Sequence, residues 1–191
     1  GSLPAAWTTS HSTTDLPEDR QQQTTQWTDP ATGLEVRLEA TRYADFGAVE
    51  WVLHLTNNGS TDTPILENIR VADFLWKDAG AAPVTLHHAE GSHAIITDFQ
   101  PKSMPLEIGT PAVFTPFGGR SSDGVLPFFN LAGPEGGLMV AIGWTGQWTA
   151  SFNRTDTGVQ IQAGFEQAHF KLLPGESVRT PSILLMPWTG T

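Results

Sequence analysis

The chain has 191 residues, enough for one large domain with a sizeable core. Twenty acidic against ten basic residues give a net charge of −10 with no basic stripe, so neither nucleic acid nor anionic membrane is an expected partner. Cysteine is absent, which excludes disulfides, thiolate metal sites and cysteine nucleophiles.

Frequent Gly (19) and Pro (14), with only 39% apolar residues, favour short strands and turns over helices. No long run carries a 3.6-residue apolar period, none reaches membrane-span length, and no secretory leader is visible. Gly1-Ser2 reads as a cloning remnant, so a leader could have stood upstream. The expectation is a soluble bacterial protein, cytoplasmic or exported.

Residues 1–20, rich in Thr, Ser, Pro and acidic groups, read as a partly extended arm or edge strand, with Trp7 as an anchor. Residues 21–191 read as one β-sandwich. Thr24–Asp29 forms a strand, and Asp29-Pro30-Ala31-Thr32-Gly33 a turn. In Leu34–Tyr43, Leu34, Val36, Leu38 and Ala40 alternate with Glu35, Arg37, Glu39 and Thr41, the mark of a half-buried antiparallel strand. Val49, Trp51, Leu53 and Leu55 repeat the pattern. Asn57-Asn58-Gly59 is a strong loop signal.

Extended structure resumes over Thr63–Trp76, with Pro64 suggesting an edge, and again over Val84–Ala89. Gly91–Gly109 is proline-broken, with Ile95-Ile96 as its core candidate. Thr110–Phe117 is short and extended. Gly118–Asp123 is a polar loop leading into the apolar strand Gly124–Leu131. Gly137–Phe152 is apolar, glycine-punctuated and uncharged. It reads as a central hairpin: Leu138, Val140 and Ile142 outbound, a turn at Thr145-Gly146, and Trp148, Ala150 and Phe152 on return. Thr157–Phe165, Ala168–Leu173 and Val178–Trp188 complete the domain. About a dozen strands at roughly ten-residue spacing predict an all-β fold, a sandwich of two antiparallel sheets.

The candidate chemistry is sparse. His87, His88 and His93 cluster with Glu90, but neighbours along a strand face opposite ways, so they are expected to be ordinary histidines rather than a metal site. Glu50, Glu67, Asp73 and Asp98 sit near apolar residues without implying a catalytic pair. Ser121-Ser122-Asp123 lacks a nucleophile elbow. Asn58-Gly59-Ser60 and Asn153-Arg154-Thr155 match the glycosylation pattern, which recurs by chance. Of the seven Trp, Trp27, Trp51, Trp144 and Trp148 are expected in the core, and one or two others exposed, where rings could stack on sugars.

Four pieces occur in one order: Val49-Glu50-Trp51-Val52-Leu53, Leu66-Glu67-Asn68-Ile69, Gly143-Trp144-Thr145-Gly146-Gln147-Trp148, and Leu173-Pro174-Gly175-Glu176 running on to Leu185. Together they resemble the N-terminal domain of family 36 glycoside hydrolases, the α-galactosidase-like enzymes, over about Thr24 to Trp188. The resemblance implies a large β-sandwich, a supersandwich, ahead of a (β/α)8 barrel that carries the catalytic aspartates. The barrel's Lys-Trp-Asp motif has no counterpart here, so no catalytic residue is carried over, and no metal or cofactor is implied. The implied partners are that barrel, an α-galactoside-like carbohydrate and, in oligomer assembly, further copies of the chain. The loop Gly119-Arg120-Ser121-Ser122-Asp123, with Phe128 and Phe129 behind it, is similar to the loop such domains extend toward the sugar pocket. Arg120, Ser121, Ser122, Asp123, Phe128 and Phe129 are therefore the candidate substrate-binding residues. The alternatives are a free-standing carbohydrate-binding module and a small self-sufficient enzyme.

Overall fold

A computed structural model describes residues 6–77 and 82–190. Fifteen strands run in chain order: β1 (Thr8–Leu16), β2 (Arg20–Thr28), β3 (Leu34–Tyr43), β4 (Ala48–Asn57), β5 (Leu66–Glu67), β6 (Arg70–Trp76), β7 (Thr85–Ala89), β8 (Pro101–Pro105), β9 (Ala112–Phe114), β10 (Phe128–Ala132), β11 (Gly136–Gly143), β12 (Trp148–Thr155), β13 (Gly158–Phe165), β14 (His169–Phe170) and β15 (Ser177–Thr189). The one helical turn among the described residues is a 3-10 turn at Ala44–Phe46.

The strands form a nine-stranded sheet, β1-β2-β3-β4-β15-β11-β10-β7-β8, and a four-stranded sheet, β6-β13-β12-β9. A short pair, β14-β5, stands apart, and every strand pairing is antiparallel. This is the all-β sandwich of two antiparallel sheets that the alternating pattern predicts.

The small sheet covers only part of the large one. Leu86, Phe129, Leu131, Val140, Ile142 and Ile183 come from the large sheet and meet Ala72, Trp148, Phe152, Val159 and Ile161 from the small one. Phe129 lies 4.9 Å from Phe152 and 5.0 Å from Phe114, ring centre to ring centre. Tilted aromatic contacts of this kind add to the area that each ring buries. β3 is half-buried along nearly its whole length, and β1 is exposed on both faces.

The central hairpin expected over Gly137–Phe152 is corrected. β11 pairs with β10 and β15 in the large sheet, whereas β12 pairs with β9 and β13 in the small one. The Trp144–Gln147 connection therefore arches across the core instead of folding back in one sheet. Burial gives the reason: Leu138, Val140 and Ile142 form one fully buried row, and Trp148, Ala150 and Phe152 another. Two such rows bury each other best face to face, in sheets about 10 Å apart. A T-shaped contact of Trp144 with Phe165, 5.2 Å apart, holds the arch.

Ile95 and Ile96 are a second correction. They sit exposed in a loop, not in the core, Ile96 entirely so. Asp98 shapes that loop by accepting hydrogen bonds from the Ser92 hydroxyl and the His93 and Ala94 backbone N–H groups.

Candidate functional site

The segment from Pro116 to Asp123 is a fixed loop at the arch end of the sandwich. Phe117 N–H donates to the Asp123 carbonyl at 3.0 Å, closing it. Gly118 (φ 61°) and Gly119 (φ 73°) take left-handed backbone that side chains disfavour, and so make the tip. The arch clamps it from one side: Gln147 accepts from the Gly119 N–H at 2.9 Å and donates to the Pro116 carbonyl. Beneath it, the indole N–H of Trp148 donates to the Ser121 carbonyl at 2.9 Å. From the other side, Ser92 N–H donates to the Ser122 carbonyl at 2.8 Å. Gly91 permits that approach, since a Cβ there would fall 2.0 Å from the same oxygen.

The six predicted residues divide between surface and core. Arg120 projects from the tip with 76% of its side chain exposed and pairs with Asp123. Asp123 is nearly covered, and the His93 imidazole stands 3.5 Å from it on another side. Ser121 and Ser122 are half-buried and hold the loop through their carbonyls. Phe128 is 60% exposed, while Phe129 is 3% exposed and belongs to the aromatic core. Alternation along β10 sends the two rings to opposite sides of the sheet. Arg120 and Phe128 can thus meet a ligand or a neighbouring surface; Phe129 supports from behind.

Two features escaped the sequence reading. Phe117 is 60% exposed at the loop base and stacks near His93, ring centres 6.3 Å apart. The larger feature is the outer face of the big sheet. Register places Phe128, Ala141 and Leu184 in one row, and Asn130, Met139 and Met186 in the next. Trp188 lies beyond, over Gly137, donating its indole N–H to Asn130 at 2.8 Å. The result is an apolar stripe with a groove of about 410 Å3 along it. The run Ile183-Leu184-Leu185-Met186 was its signal, because a strand apolar on both faces needs cover on both.

None of the seven Trp is exposed: Trp148 and Trp76 are buried and the other five half-buried. This corrects the expected exposed Trp. Trp51, Trp148 and Trp188 each spend the indole N–H inside the fold. The exposed rings are instead Phe46, Phe99, Phe117 and Phe128. His87 and His88 take opposite faces, as strand geometry requires, and His88 packs on Phe114 at 4.7 Å. Burial pushes His88 below the usual imidazole range. Glu50 accepts from the Tyr43 hydroxyl, Glu67 pairs with His169, and Asp73 accepts from Gln160 and Gln162, so these carboxylates serve the fold.

Residues 2–173 match the family model described as the glycosyl hydrolase family 36 N-terminal domain. The chain belongs to that family. Comparison with the curated proteins found no match. Among solved structures, this family 36 N-terminal domain is similar to part of the α-galactosidase from Lactobacillus brevis, with TM-score 0.69 and 18% identity, covering 96% of this chain and 26% of that one. It is similar to the family 36 α-galactosidase AgaA from Geobacillus stearothermophilus, with TM-score 0.70 and 18% identity, covering 100% and 29%. AgaB from the same organism gives TM-score 0.66 and 18% identity, covering 91% and 24%. Variants of AgaA were solved in complex with raffinose and with stachyose. At these identities the likeness establishes the shared fold. The family 36 N-terminal domain described here spans 24–29% of the length of those chains. Among its described residues no helix is long and apolar enough to cross a membrane.

Proposed function

We propose that this domain is the accessory sandwich of an α-galactosidase-like glycoside hydrolase. It packs on a catalytic (β/α)8 barrel outside this chain and lends the Arg120 loop to the sugar pocket. It contributes no catalytic carboxylate. The carrying observation is the stripe of Phe128, Met139, Ala141, Leu184, Met186 and Trp188 on the outer face of the large sheet. An antiparallel sheet that faces water on one side ordinarily turns polar residues to it. The neighbouring part of the same face does so, with Arg37 paired to Glu39 and the His54 imidazole 3.7 Å from the same carboxylate. A large apolar patch bounded by polar strands marks a protein contact.

The loop runs on through Gly124–Pro127 to Phe128, which belongs to the stripe, and in this reading the barrel seated on the stripe also meets the Arg120 tip. The ligand in this reading is an α-galactoside-like sugar. Arg120 would offer its planar donors to hydroxyl oxygens, and Phe117 or Phe128 an apolar backing.

The test is Met186→Lys in the enzyme carrying both domains and in this chain alone. The isolated chain should keep its fold, because the residue faces outward. The two-domain enzyme should lose thermal stability and activity together. An enzyme indifferent to the lysine would overturn the docking face.

A further inference from the structure

We propose that β1 pairs edge to edge with β1 of a second copy of this chain, antiparallel, about a two-fold axis through His11. The strand bonds on one side only, to β2, in unbroken register from Thr8↔Thr28 to Leu16↔Arg20. Its other side is the open edge of the nine-stranded sheet. Eight of its nine residues are exposed. Open edges invite pairing unless they are blunted by proline, lysine, bulges or shortness. The opposite edge of the same sheet, β8, is blunted: it begins at Pro101, ends at Pro105 and carries Lys102. In the small sheet, β9 has only three residues and β6 is offset by a register shift. β1 has none of these devices.

The sequence of that edge fits a copy of itself. Thr8-Thr9-Ser10-His11-Ser12-Thr13-Thr14 reads the same in both directions. An antiparallel copy centred on His11 sets Thr8 against Thr14, Thr9 against Thr13 and Ser10 against Ser12. Threonine and serine pairs of this kind are favourable across strands. The next positions match Asp15 to Trp7 and Leu16 to Ala6, so no carboxylate meets another. His11 already leans on its neighbour β2, its Nδ1 lying 3.0 Å from Thr25 Oγ1, and leaves the edge backbone free.

Charge supports the same occupant. The molecule carries −10 overall, yet Ala6–Thr14 contains no Asp, Glu, Lys or Arg. An acidic protein can approach its own copy most easily along such a segment. The pairing would join two large sheets into one continuous sheet, with isologous two-fold symmetry. It lies at the far edge from β10, β11 and β15, so it neither needs nor blocks the barrel-docking face.

The absence of cysteine makes the experiment clean. His11→Cys places two thiols opposite one another, at the 4.5–5.5 Å Cα separation of facing residues, within disulfide range. Mild oxidation should yield a linked dimer on a non-reducing gel. Thr8→Cys is the control: its two copies would stand about 20 Å apart along the ladder and stay unlinked. Thr8→Cys mixed with Thr14→Cys should link. Sedimentation equilibrium of the unmodified chain should show a dimer at high micromolar concentration, and His11→Lys should return it to monomer by opposing two charges. A monomeric unmodified chain overturns the proposal. So does a dimer that links through Thr8→Cys as readily as through His11→Cys, or one that survives His11→Lys but is lost in Met186→Lys.

Discussion

Trp148 donates its indole N–H to the carbonyl of Ser121 at 2.9 Å, joining the deepest ring of the small sheet to the candidate ligand loop. The ring itself is fully buried, edge-on to Phe129 at 6.0 Å. One side chain thereby sets both the core and the position of the loop above it. Trp148→Ala should cost about 3–5 kcal/mol, the range for deleting a large buried aromatic. Trp148→Phe should cost less overall, yet release the loop by leaving the Ser121 carbonyl unpaired. Urea titration reads the first effect. Hydrogen exchange over residues 117–123 reads the second, and unchanged protection in the phenylalanine variant would show that the bond does not hold the loop.

Arg120→Ala should change the melting temperature only slightly, since the arginine end of its pair with Asp123 is 76% exposed and an ion pair open to water at one end contributes about 1 kcal/mol or less. In the two-domain enzyme, kcat/KM for an α-galactoside should fall roughly ten- to a hundredfold, the loss of about 1.5–3 kcal/mol for a charged hydrogen bond. Equal kcat/KM in wild type and variant would reduce the loop to a connector.

Much of the fold was legible. Strict alternation in Leu34–Tyr43 and Val49–Leu55 mapped directly onto β3 and β4, because period two has one structural meaning. The arch was not legible. Apolar alternation states which residues a strand buries, not whether its neighbour in sequence lies beside it or across the core. Ile95 and Ile96 misled for a related reason: hydrophobicity alone does not say which side of a loop faces water. In the site, the glycine and arginine composition located the loop, but its clamps come from Gly91, Ser92 and Gln147, which only the closed fold brings near. Phe128 and Phe129 looked equivalent in sequence and were separated by the strand's two faces.

Asn57 is a buried polar knot at the end of β4. Its side-chain amide donates to the carbonyls of Thr61 and Leu172, both at 2.8 Å, and its oxygen accepts from the Gly59 N–H at 2.9 Å. Asn57→Ala should destabilise the domain by about 1–3 kcal/mol, because buried partners are left unpaired. Denaturant unfolding measures it, and a shift below about 0.5 kcal/mol would mean that water replaces the amide.

His88 should make stability sensitive to mild acid. Burial lowers its folded-state pKa, so near and below the unfolded value of about 6.5 the unfolded chain binds more protons. The contribution is complete above that value and declines as pH falls through the folded pKa. The lowered carboxyl of Asp98, held down chiefly by the His93 N–H, acts in a separate and more acidic window. His88→Phe keeps the contact with Phe114 and removes the titration. Unfolding midpoints at pH 7.5 and pH 5 should therefore converge in the variant, relative to wild type, by the fraction that His88 supplies. Parallel pH profiles for the two proteins would assign the acid sensitivity elsewhere.

β15, the last strand in sequence, lies in the middle of the large sheet, between β4 and β11. During synthesis the block β1–β4 and the block of β7, β8, β10 and β11 must therefore wait as two separate pieces, each with an open edge where β15 will lie. Long-range pairings of this kind are slow to form and leave strand edges exposed meanwhile. The nine-stranded sheet becomes one object only when Ser177–Thr189 has cleared the ribosome and slid between the halves, like a keystone set last.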